Sequence, residues 1–287
     1  MDDQAYSMLP YFYENIFPLE RIFQWLKIDE KREISFTLQN GMYLRYLNFK
    51  SKEELQTKIL STVPVKIDFG AVYANRQRKG TECIPVEKEL VFDIDLTDYK
   101  RICCTGRNTC ETCFVLVKSA IKLLNYSLKE EFGFEKVLFV FSGGRGIHCW
   151  VSDDNARSLN NSERQSVTKF FDSVSKRKIF PTEYCNILME NISYFNEPDL
   201  NIKPETATVE EIFEHLYIKL DKNVTSEIKH LLKSPFCVHS STTKVCVPLD
   251  PENIDTVLIE DLPTLQNVMD NPKTLDPYIR IFDQTFF

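Results

Sequence analysis

Apolar and polar residues alternate most clearly between Glu87 and Tyr99, where EKELVFDIDLTDY predicts a β-strand with two different faces. Successive side chains of a strand point to opposite sides of the sheet. One face therefore holds Leu90, Phe92, Ile94 and Leu96, and the other holds Glu89, Val91, Asp93, Asp95 and Thr97. The first is a core face. The second places two aspartates on a rigid element, although aspartate is disfavoured in strands, so it requires a chemical explanation.

The same patterns predict the elements on either side of this strand. Before it, we expect one or two helices within 8–28, a hairpin of strands Ile34–Leu38 and Met42–Phe49, a helix from Ser51 to about Leu60, and a strand at Val65–Tyr73. After it, we expect a helix over 114–131, strands at Lys136–Phe141 and Ile147–Val151, a helical region over 155–215, a short helix at Thr225–Lys233, a second hairpin at Phe236–His239 and Lys244–Pro248, a surface connection over 251–275, and an amphipathic C-terminal segment. Strand, helix and strand in this order predict an α/β fold with helices on at least one face of the sheet.

Length and composition place the chain among globular proteins. Its 287 residues can bury a full core as one large domain or two small ones, and 43% hydrophobic with 27% charged residues is ordinary. No apolar run reaches the length of a membrane span, and the N-terminus lacks the pattern of a secretory signal, so we expect a reducing compartment. The net charge of −7 argues against a general nucleic-acid binder but leaves room for a local basic groove.

The two aspartates of the central strand, Asp93 and Asp95, indicate a site for a positive ion. Two like charges about 4 Å apart repel each other by about 4 kcal/mol at an effective dielectric constant of about 20. A divalent metal ion between them would remove this repulsion. The alternative is an edge strand whose polar face is simply solvated, and the strand pattern alone does not decide between the two.

Four of the nine cysteines lie within eleven residues, in the pattern C-C-x5-C-x2-C. Without a secretory signal, disulfides are not expected, and four thiolates can close a tetrahedral structural zinc site. Buried thiols or redox chemistry are the alternatives. The cluster consists of Cys103, Cys104, Cys110 and Cys113. The remaining cysteines are scattered along the chain and are interpreted as core residues.

Two further segments carry groups that suit a phosphate ligand. The turn from Ser142 to His148 follows a predicted strand, and its glycines and Arg145 can bring donors to a phosphate. It lacks the common phosphate-loop motifs, so a plain hairpin turn, with His148 in the core, is the competing interpretation. A second basic set, for which a solvated face is the alternative, contains Lys229, His230, Lys233, His239 and Lys244. Asp221, just before it, is either a helix N-cap or a third carboxylate.

Together these segments resemble the small catalytic subunit of the archaeo-eukaryotic DNA primases, in particular its eukaryotic branch. The resemblance rests on REISFTL and YLRYLNF within 32–49, KIDFGAVY at 66–73, EKELVFDIDLTDY at 87–99, the cysteine cluster, FGFEKVLFVFSGGRGIHCWV at 132–151, and LDKNVTSEIKHLLKSPFCVH at 220–239. These stretches occur in the family order and cover roughly half of the chain.

The resemblance implies an activity and a set of site residues. Primases of this kind join ribonucleoside triphosphates on single-stranded DNA and start RNA primers de novo for DNA replication. Two Mg²⁺ or Mn²⁺ ions for nucleotidyl transfer would be held by Asp93, Asp95 and Asp221. A structural Zn²⁺ ion would be held by the four clustered cysteines. The nucleotide would be bound by Ser142, Arg145, His148, Lys233 and His239, with Arg45 and Asp68 near it and Asp68 helping to select ribonucleotides.

The resemblance also implies an architecture and partners. We expect a primase-type α/β catalytic core with a mixed sheet at 1–154 and 219–287, a zinc knuckle at 103–113, and a small inserted helical subdomain at 155–218. The partners would be a large regulatory primase subunit, the catalytic subunit of the replicative DNA polymerase alpha, a single-stranded DNA template and nucleoside triphosphates. The location would be nuclear, without a membrane.

The sequence departs from the family pattern at one notable position. The family turn often reads S-G-R-R-G-x-H, whereas Gly144 stands here in place of the first arginine, so one phosphate ligand is missing or is supplied elsewhere. Two other classes of protein remain open. One is a metal-dependent glycosyltransferase that uses nucleotide sugars, since these also carry a DxD motif. The other is an inactive scaffold of a replication complex, against which the intact aspartate set argues.

Overall fold

The computed structural model describes residues 1–101, 103–106, 108–177, 180–196 and 202–287. Its helices are α1 (Asp3–Asn15), α2 (Leu19–Trp25), α3 (Lys52–Thr62), α4 (Glu111–Tyr126), α5 (Asp154–Arg157), α6 (Asn161–Arg177), α7 (Thr182–Met189), α8 (Val209–Leu216), α9 (Lys222–Ser226), α10 (Leu265–Asp270) and α11 (Asp276–Phe286). Its strands are β1 (Arg32–Thr37), β2 (Tyr43–Leu47), β3 (Lys66–Tyr73), β4 (Pro85–Glu87), β5 (Leu90–Asp95), β6 (Val137–Phe141), β7 (Gly146–Val151), β8 (Leu232–Lys233) and β9 (Pro248–Leu249). A 3-10 turn, Leu96–Asp98, follows β5 directly.

The strands form two sheets, and every described pair is antiparallel. In the first sheet the order is β2-β1-β3-β4, and β8 also pairs with β3, at the end of β3 away from β4. In the second sheet the order is β5-β7-β6-β9. The predicted mixed sheet is therefore corrected. The strands β5 and β6, which α4 connects, run in the same direction, but β7 lies between them and pairs antiparallel with both.

Local signals in the sequence predicted several elements well. Strands β1 and β2 form the expected hairpin around Asn40-Gly41, where Gly41 has a φ of +83° that suits glycine. The side chain of Ser51 caps α3 by accepting a hydrogen bond from the Glu54 backbone N–H. The predicted strands that became β3, β5, β6 and β7 are also present.

The short helix predicted at Thr225–Lys233 is wrong. Helix α9 ends at Ser226, and Leu232–Lys233 is instead strand β8, with Lys233 opposite Asp68 of β3. The Ile228 N–H donates to the side chain of Asn161 in α6, rather than to a helical carbonyl. Pairing with a distant strand has thus overridden the local helical preference. The expected surface connection over 251–275 likewise contains α10.

The two faces of the second sheet have different coverings. The face that carries Phe92 packs on helices, with Phe92 contacting Phe171 of α6 at 5.9 Å between ring centroids. On the other face, Trp150 of β7 packs against Trp25 of α2, and Trp25 against Phe282 of α11, both at 5.3 Å. The helices α2 and α11 cover only one end of this face. Its other end carries Asp93, Asp95 and His148, in register on β5 and β7.

A buried ion pair joins the two sheets at the end away from those aspartates. Arg32 at the start of β1 binds Glu89, just before β5, through two hydrogen bonds of 2.8 and 3.0 Å, and both side chains are fully buried. Burial alone would raise the pKa of Glu89, but the Arg32 guanidinium lowers it. The carboxylate therefore stays charged at neutral pH, and its contribution to stability is lost only as the pH falls through this lowered value.

Replacing Glu89 with alanine is expected to lower the free energy of unfolding by about 3–5 kcal/mol, because Arg32 would stay buried without its counter-charge. Urea unfolding followed by circular dichroism measures this loss as a lower midpoint at an unchanged m-value. The matched control is the double variant Glu89→Leu/Arg32→Met, which removes both charges and should lose much less stability. Equal stability of the single and double variants would contradict the explanation.

The inserted subdomain at 155–218 stays a prediction. Its helices share side-chain contacts with the rest of the molecule, as the Phe171–Phe92 contact illustrates. Within the described parts of the chain, no helix has both the length and the apolar character that crossing a bilayer requires.

Candidate active site

A cleft of about 440 Å³ lies where the uncovered end of the second sheet faces β3 and β8 of the first sheet. Both sheets contribute to it, together with the β6–β7 turn. Seven of the predicted metal- and nucleotide-binding residues line this cleft: Asp93, Asp95, Ser142, Arg145, His148, Lys233 and His239. The fold therefore gathers side chains that are as far as 146 residues apart in the chain into one pocket.

Three aspartates concentrate negative charge beside the cleft; Asp93 and Asp95 line it, and Asp221 lies next to Asp93, outside the lining. Asp93 and Asp95 lie two residues apart on β5, and the Asp221 backbone N–H donates to the Asp93 carbonyl at 3.0 Å. Burial, and then the charges of Asp221 and Asp95, raise the pKa of Asp93 to about 7. Asp221 also caps α9, because one of its carboxylate oxygens accepts from the Asn223 N–H. Asp221 is thus the N-cap of α9 and, at the same time, a third carboxylate beside Asp93.

The aspartate set fits divalent cations by charge and ligand type. Mg²⁺ and Mn²⁺ prefer oxygen ligands, and a cation would relieve the repulsion that raises the pKa of Asp93. Among the described residues, the compact group of potential metal ligands is the cysteine cluster. The case for cations at the aspartates therefore rests on their charge and ligand type.

The β6–β7 turn forms the wall of the cleft next to these aspartates. The Ser142 hydroxyl accepts hydrogen bonds from the backbone N–H groups of Gly144 and Gly146. A Cβ atom at Gly146 would lie 1.8 Å from the Ile94 carbonyl oxygen, so only glycine fits there. Arg145 forms an ion pair with Asp95 at 3.1 Å. The segment is therefore a hairpin turn that also presents a cation beside the carboxylates.

His148 is a neutral imidazole at the bottom of the cleft. Burial, and then the charges of Lys233, Lys66 and His239, hold its pKa well below the usual value. Its Nε2 lies 3.8 Å from an Asp93 carboxylate oxygen. Its Nδ1 is buried, and no hydrogen-bond partner for it exists among the described residues. An unpaired buried ring nitrogen in a cleft suits a hydrogen bond to a bound ligand.

The orientation of His239 is set by the turn that follows it. The backbone N–H groups of Ser241 and Thr242 donate to its Nδ1 at 3.4 and 3.3 Å. With Nδ1 as an acceptor, Nε2 carries the ring proton and is a donor. A Cβ atom at Gly144 would lie 3.0 Å from that Nε2, so Gly144 leaves room for the ring. Here His239 occupies the space beside the position where the family pattern has an arginine.

Two predicted nucleotide contacts lie outside the lining of the cleft. Asp68 is buried beneath Lys66, with 2.9 Å between the ammonium and the carboxylate, and it also accepts from Ser35. Arg45 pairs with Glu33 on the neighbouring strand. Lys66 lines the cleft instead, although the sequence analysis did not single it out. Its position two residues before Asp68, on the same face of a strand, is the signal that identifies it.

The four clustered cysteines lie at the start of α4 and fit a metal ion. Their Sγ atoms all lie within 4.8 Å of one another, and those of Cys110 and Cys113 are 3.9 Å apart. Four Zn–S bonds of about 2.3 Å in a tetrahedron place the sulfurs about 3.8 Å apart. Burial opposes ionisation of Cys110, but hydrogen bonds from Cys113 and the other cluster thiols lower its pKa to about 7. The cluster can therefore bind a metal such as zinc.

Carboxylates facing Arg145, Lys233 and a histidine donor are typical of proteins that bind a phosphate-containing ligand together with a divalent cation. Comparisons with known proteins define the family within this class. The family model described as "DNA primase small subunit" matches residues 92–251.

Individual relatives carry the same description. The DNA primase small subunit of Drosophila melanogaster is 32% identical, over 88% of this chain and 80% of the relative. That of Schizosaccharomyces pombe is 30% identical, over 90% and 76%. That of the archaeon Archaeoglobus fulgidus is 26% identical, over 81% and 75%. The chain belongs to the DNA primase small subunit family, as the motifs had predicted.

Proposed function

We propose that the chain is the catalytic subunit of a primase, a DNA-dependent RNA polymerase that makes short RNA primers de novo on single-stranded DNA from nucleoside triphosphates. Family membership supports a part in primer synthesis for DNA replication. The observation that carries the catalytic assignment is the meeting of Asp93, Asp95, Arg145 and Lys233 in one cleft. An inactive scaffold would have no need to keep three aspartates in a repulsive arrangement.

Asp93, Asp95 and Asp221 would hold two Mg²⁺ or Mn²⁺ ions. When bound, these ions activate the attacking 3′-hydroxyl and stabilise the pyrophosphate leaving group. Two of these ligands would come from β5 and the third from the start of α9. Arg145, which pairs with Asp95, would exchange that carboxylate for a phosphate oxygen.

The triphosphate would lie against the part of the cleft that the β6–β7 turn, β8 and the His239 turn line together. Lys233 and Arg145 would supply positive charge, His148 a neutral imidazole, His239 its Nε2–H, and Ser142 a hydroxyl. Preorganised donors of this kind stabilise charge that develops on the leaving group. Asp68 and Arg45 are assigned to the neighbourhood of the incoming ribose. For Asp68 this role requires Lys66, which covers it, to move aside.

The remaining assignments follow from the family. The cysteine cluster would hold a structural Zn²⁺ ion that shapes the connection between β5 and α4. The partners would be a large regulatory primase subunit and the catalytic subunit of DNA polymerase alpha, at a nuclear location. The core at 1–154 and 219–287 would carry the chemistry, and the helices within 155–218 would form an inserted subdomain.

The purified chain, given single-stranded DNA, labelled ribonucleotides and Mg²⁺ or Mn²⁺ but no primer, is expected to make short labelled RNA. The product should require both the template and the metal, and reactions lacking either one are the controls. No product, even with a large primase subunit added, would overturn the proposal in favour of an inactive scaffold. Template-independent transfer of a sugar from a nucleotide sugar would point to a glycosyltransferase instead.

A further inference from the structure

Positive charge is concentrated in one part of this acidic chain. Residues 40–81 contain eight lysines and arginines but only three aspartates and glutamates, which gives this segment a net charge of +5. The whole chain carries −7, so the remainder carries −12. An average over the chain conceals this difference, and the local value is the one that a polyanionic partner meets.

Two acidic residues of the first sheet are covered by their basic partners. Glu33 has no exposed side-chain surface, whereas 35% of the Arg45 side chain that pairs with it is exposed. Asp68 is 2% exposed and the Lys66 paired with it is 46% exposed. The two carboxylates are buried, and the two cations that pair with them reach the solvent. This face of the first sheet therefore presents positive charge to solvent.

The face is continuous with the catalytic cleft. Lys66 lines the cleft, and its partner Asp68 bonds to Ser35, whose hydroxyl lies 3.0 Å from that of Tyr43. Tyr43 is 48% exposed on the edge strand β2. Arg45, two residues further along β2, lies over the ring of Tyr46 with its Cζ 5.1 Å from the ring centroid. Tyr46 is half-buried beneath Arg45, so the exposed ring of Tyr43 is the one on which an unpaired base can stack.

A basic loop continues the surface beyond the sheet. The Asn48 amide donates to the carbonyls of Tyr46 and Gln77, at 3.0 and 2.9 Å, and its oxygen accepts from Arg76. These bonds attach the loop between β3 and β4 to the end of β2. The loop carries three exposed cations, none of which forms an ion pair with a residue in the described ranges: Arg76, Arg78 and Lys79.

We propose that this basic surface, formed by Tyr43, Arg45, Tyr46, Lys66 and the loop cations Arg76, Arg78 and Lys79, binds the single-stranded DNA template on its way to the cleft. The inference rests on the proposed function and adds the place where the template lies. Strand β3 between Lys66 and Tyr73 is about 23 Å long at about 3.3 Å per residue, enough for several nucleotides. The loop cations would bind phosphates, and Tyr43 would stack on a base.

Reversal of two loop charges tests the proposal. The variant Arg78→Glu/Lys79→Glu should bind a fluorescent single-stranded oligonucleotide about tenfold or more weakly than wild type, by anisotropy. Its plot of log affinity against log salt should be flatter by about 0.7 for each phosphate that the variant no longer neutralises. The matched control is Lys129→Glu/Lys136→Glu, which makes the same charge change on exposed residues of the connection from α4 to β6, and should bind like wild type.

A second variant separates stacking from charge. Tyr43→Ala should weaken binding about fivefold or more while leaving the salt slope unchanged, because a base-stacking contact involves no phosphate. Binding of a nucleoside triphosphate with Mn²⁺, measured by thermal shift, should be unchanged in the loop variant, which shows that the cleft is intact.

Two results would overturn the inference: wild-type binding by the loop variant, or an equal loss of affinity in the Lys129/Lys136 control. Tighter binding of blunt duplex DNA than of single strands by wild type would also overturn it. The proposed function can be refuted independently of the template-binding surface. If loop-dependent binding of single strands occurs but no primer is made with or without a large subunit, the surface stands and the catalytic assignment falls.

Discussion

The variant Asp93→Asn is expected to lose primer synthesis by about a thousandfold or more, because a site that loses a metal ligand loses several kcal/mol of transition-state stabilisation. Its fold should not suffer. Asp93 is repelled by Asp221 and Asp95, so removing its charge should leave the thermal midpoint in metal-free buffer equal to or above that of wild type. Steady-state primer synthesis and thermal unfolding with and without Mn²⁺ measure both effects, and the stabilisation by Mn²⁺ should disappear.

Asp98→Asn is the matched control for this prediction. Asp98 lies in the 3-10 turn after β5, and burial and then the charge of Asp95 raise its pKa, so it lies in the same electrostatic field. It is not in the proposed ligand set, and its replacement should leave most of the activity. Full activity in Asp93→Asn would refute the metal assignment. Equal inactivity in Asp98→Asn would show that local charge, rather than ligation, is what the reaction needs.

The variant Cys113→Ser is expected to lose its zinc and to unfold at a temperature lower by about 10 °C or more, since a structural zinc ion contributes several kcal/mol to folding. Cys113 is the buried member of the cluster. The loop between Cys104 and Cys110 also reaches the cleft, because the Gly106 carbonyl accepts a hydrogen bond from Arg145. We therefore expect the Michaelis constant for the nucleotide to rise as well. Atomic absorption, thermal unfolding and initial rates measure the three effects.

Cys83→Ser provides the control for the cysteine prediction. Cys83 is a free thiol outside the cluster, and its variant should retain about one zinc per chain and the wild-type midpoint. Removal of the metal from wild type by a chelator should reproduce the Cys113→Ser midpoint. If wild type contains no zinc, or if Cys113→Ser keeps it, the cluster is a set of thiols with another role.

Local sequence signals were enough for much of the fold. The alternation along Leu90–Asp95, the Asn40-Gly41 turn and the Ser51 cap each depend on neighbours within a few residues, and each matches the structure. The meeting of Ser142, Arg145 and His148 with Asp93 was predicted only through the family resemblance. Spacing alone left these groups open to interpretation as a hairpin turn and a solvated face.

The features that the sequence analysis missed depend on distant partners. Leu232–Lys233 is a strand because β3 is available to pair with it, and no residue near it in the sequence indicates that partner. Glu89 was placed on the same polar face as the aspartates, yet it is buried against Arg32, which lies 57 residues away. The order of strands in the second sheet has the same origin, since β7 enters between two strands that a helix connects.

The position of the Arg32–Glu89 pair has a mechanical consequence. Arg32 lies opposite Val72 on β3, and Glu89 precedes β5, so the pair fastens the two sheets at the ends opposite the cleft. A rotation of one sheet relative to the other about this pair would therefore widen or narrow the cleft. Asp93 and Asp95 lie about 13–20 Å from Glu89 along the chain, at about 3.3 Å per residue. A rotation of about 4° about the Arg32–Glu89 pair would then change the width of the cleft by about 1 Å. A displacement of that size between reacting groups can lower a reaction rate about a hundredfold.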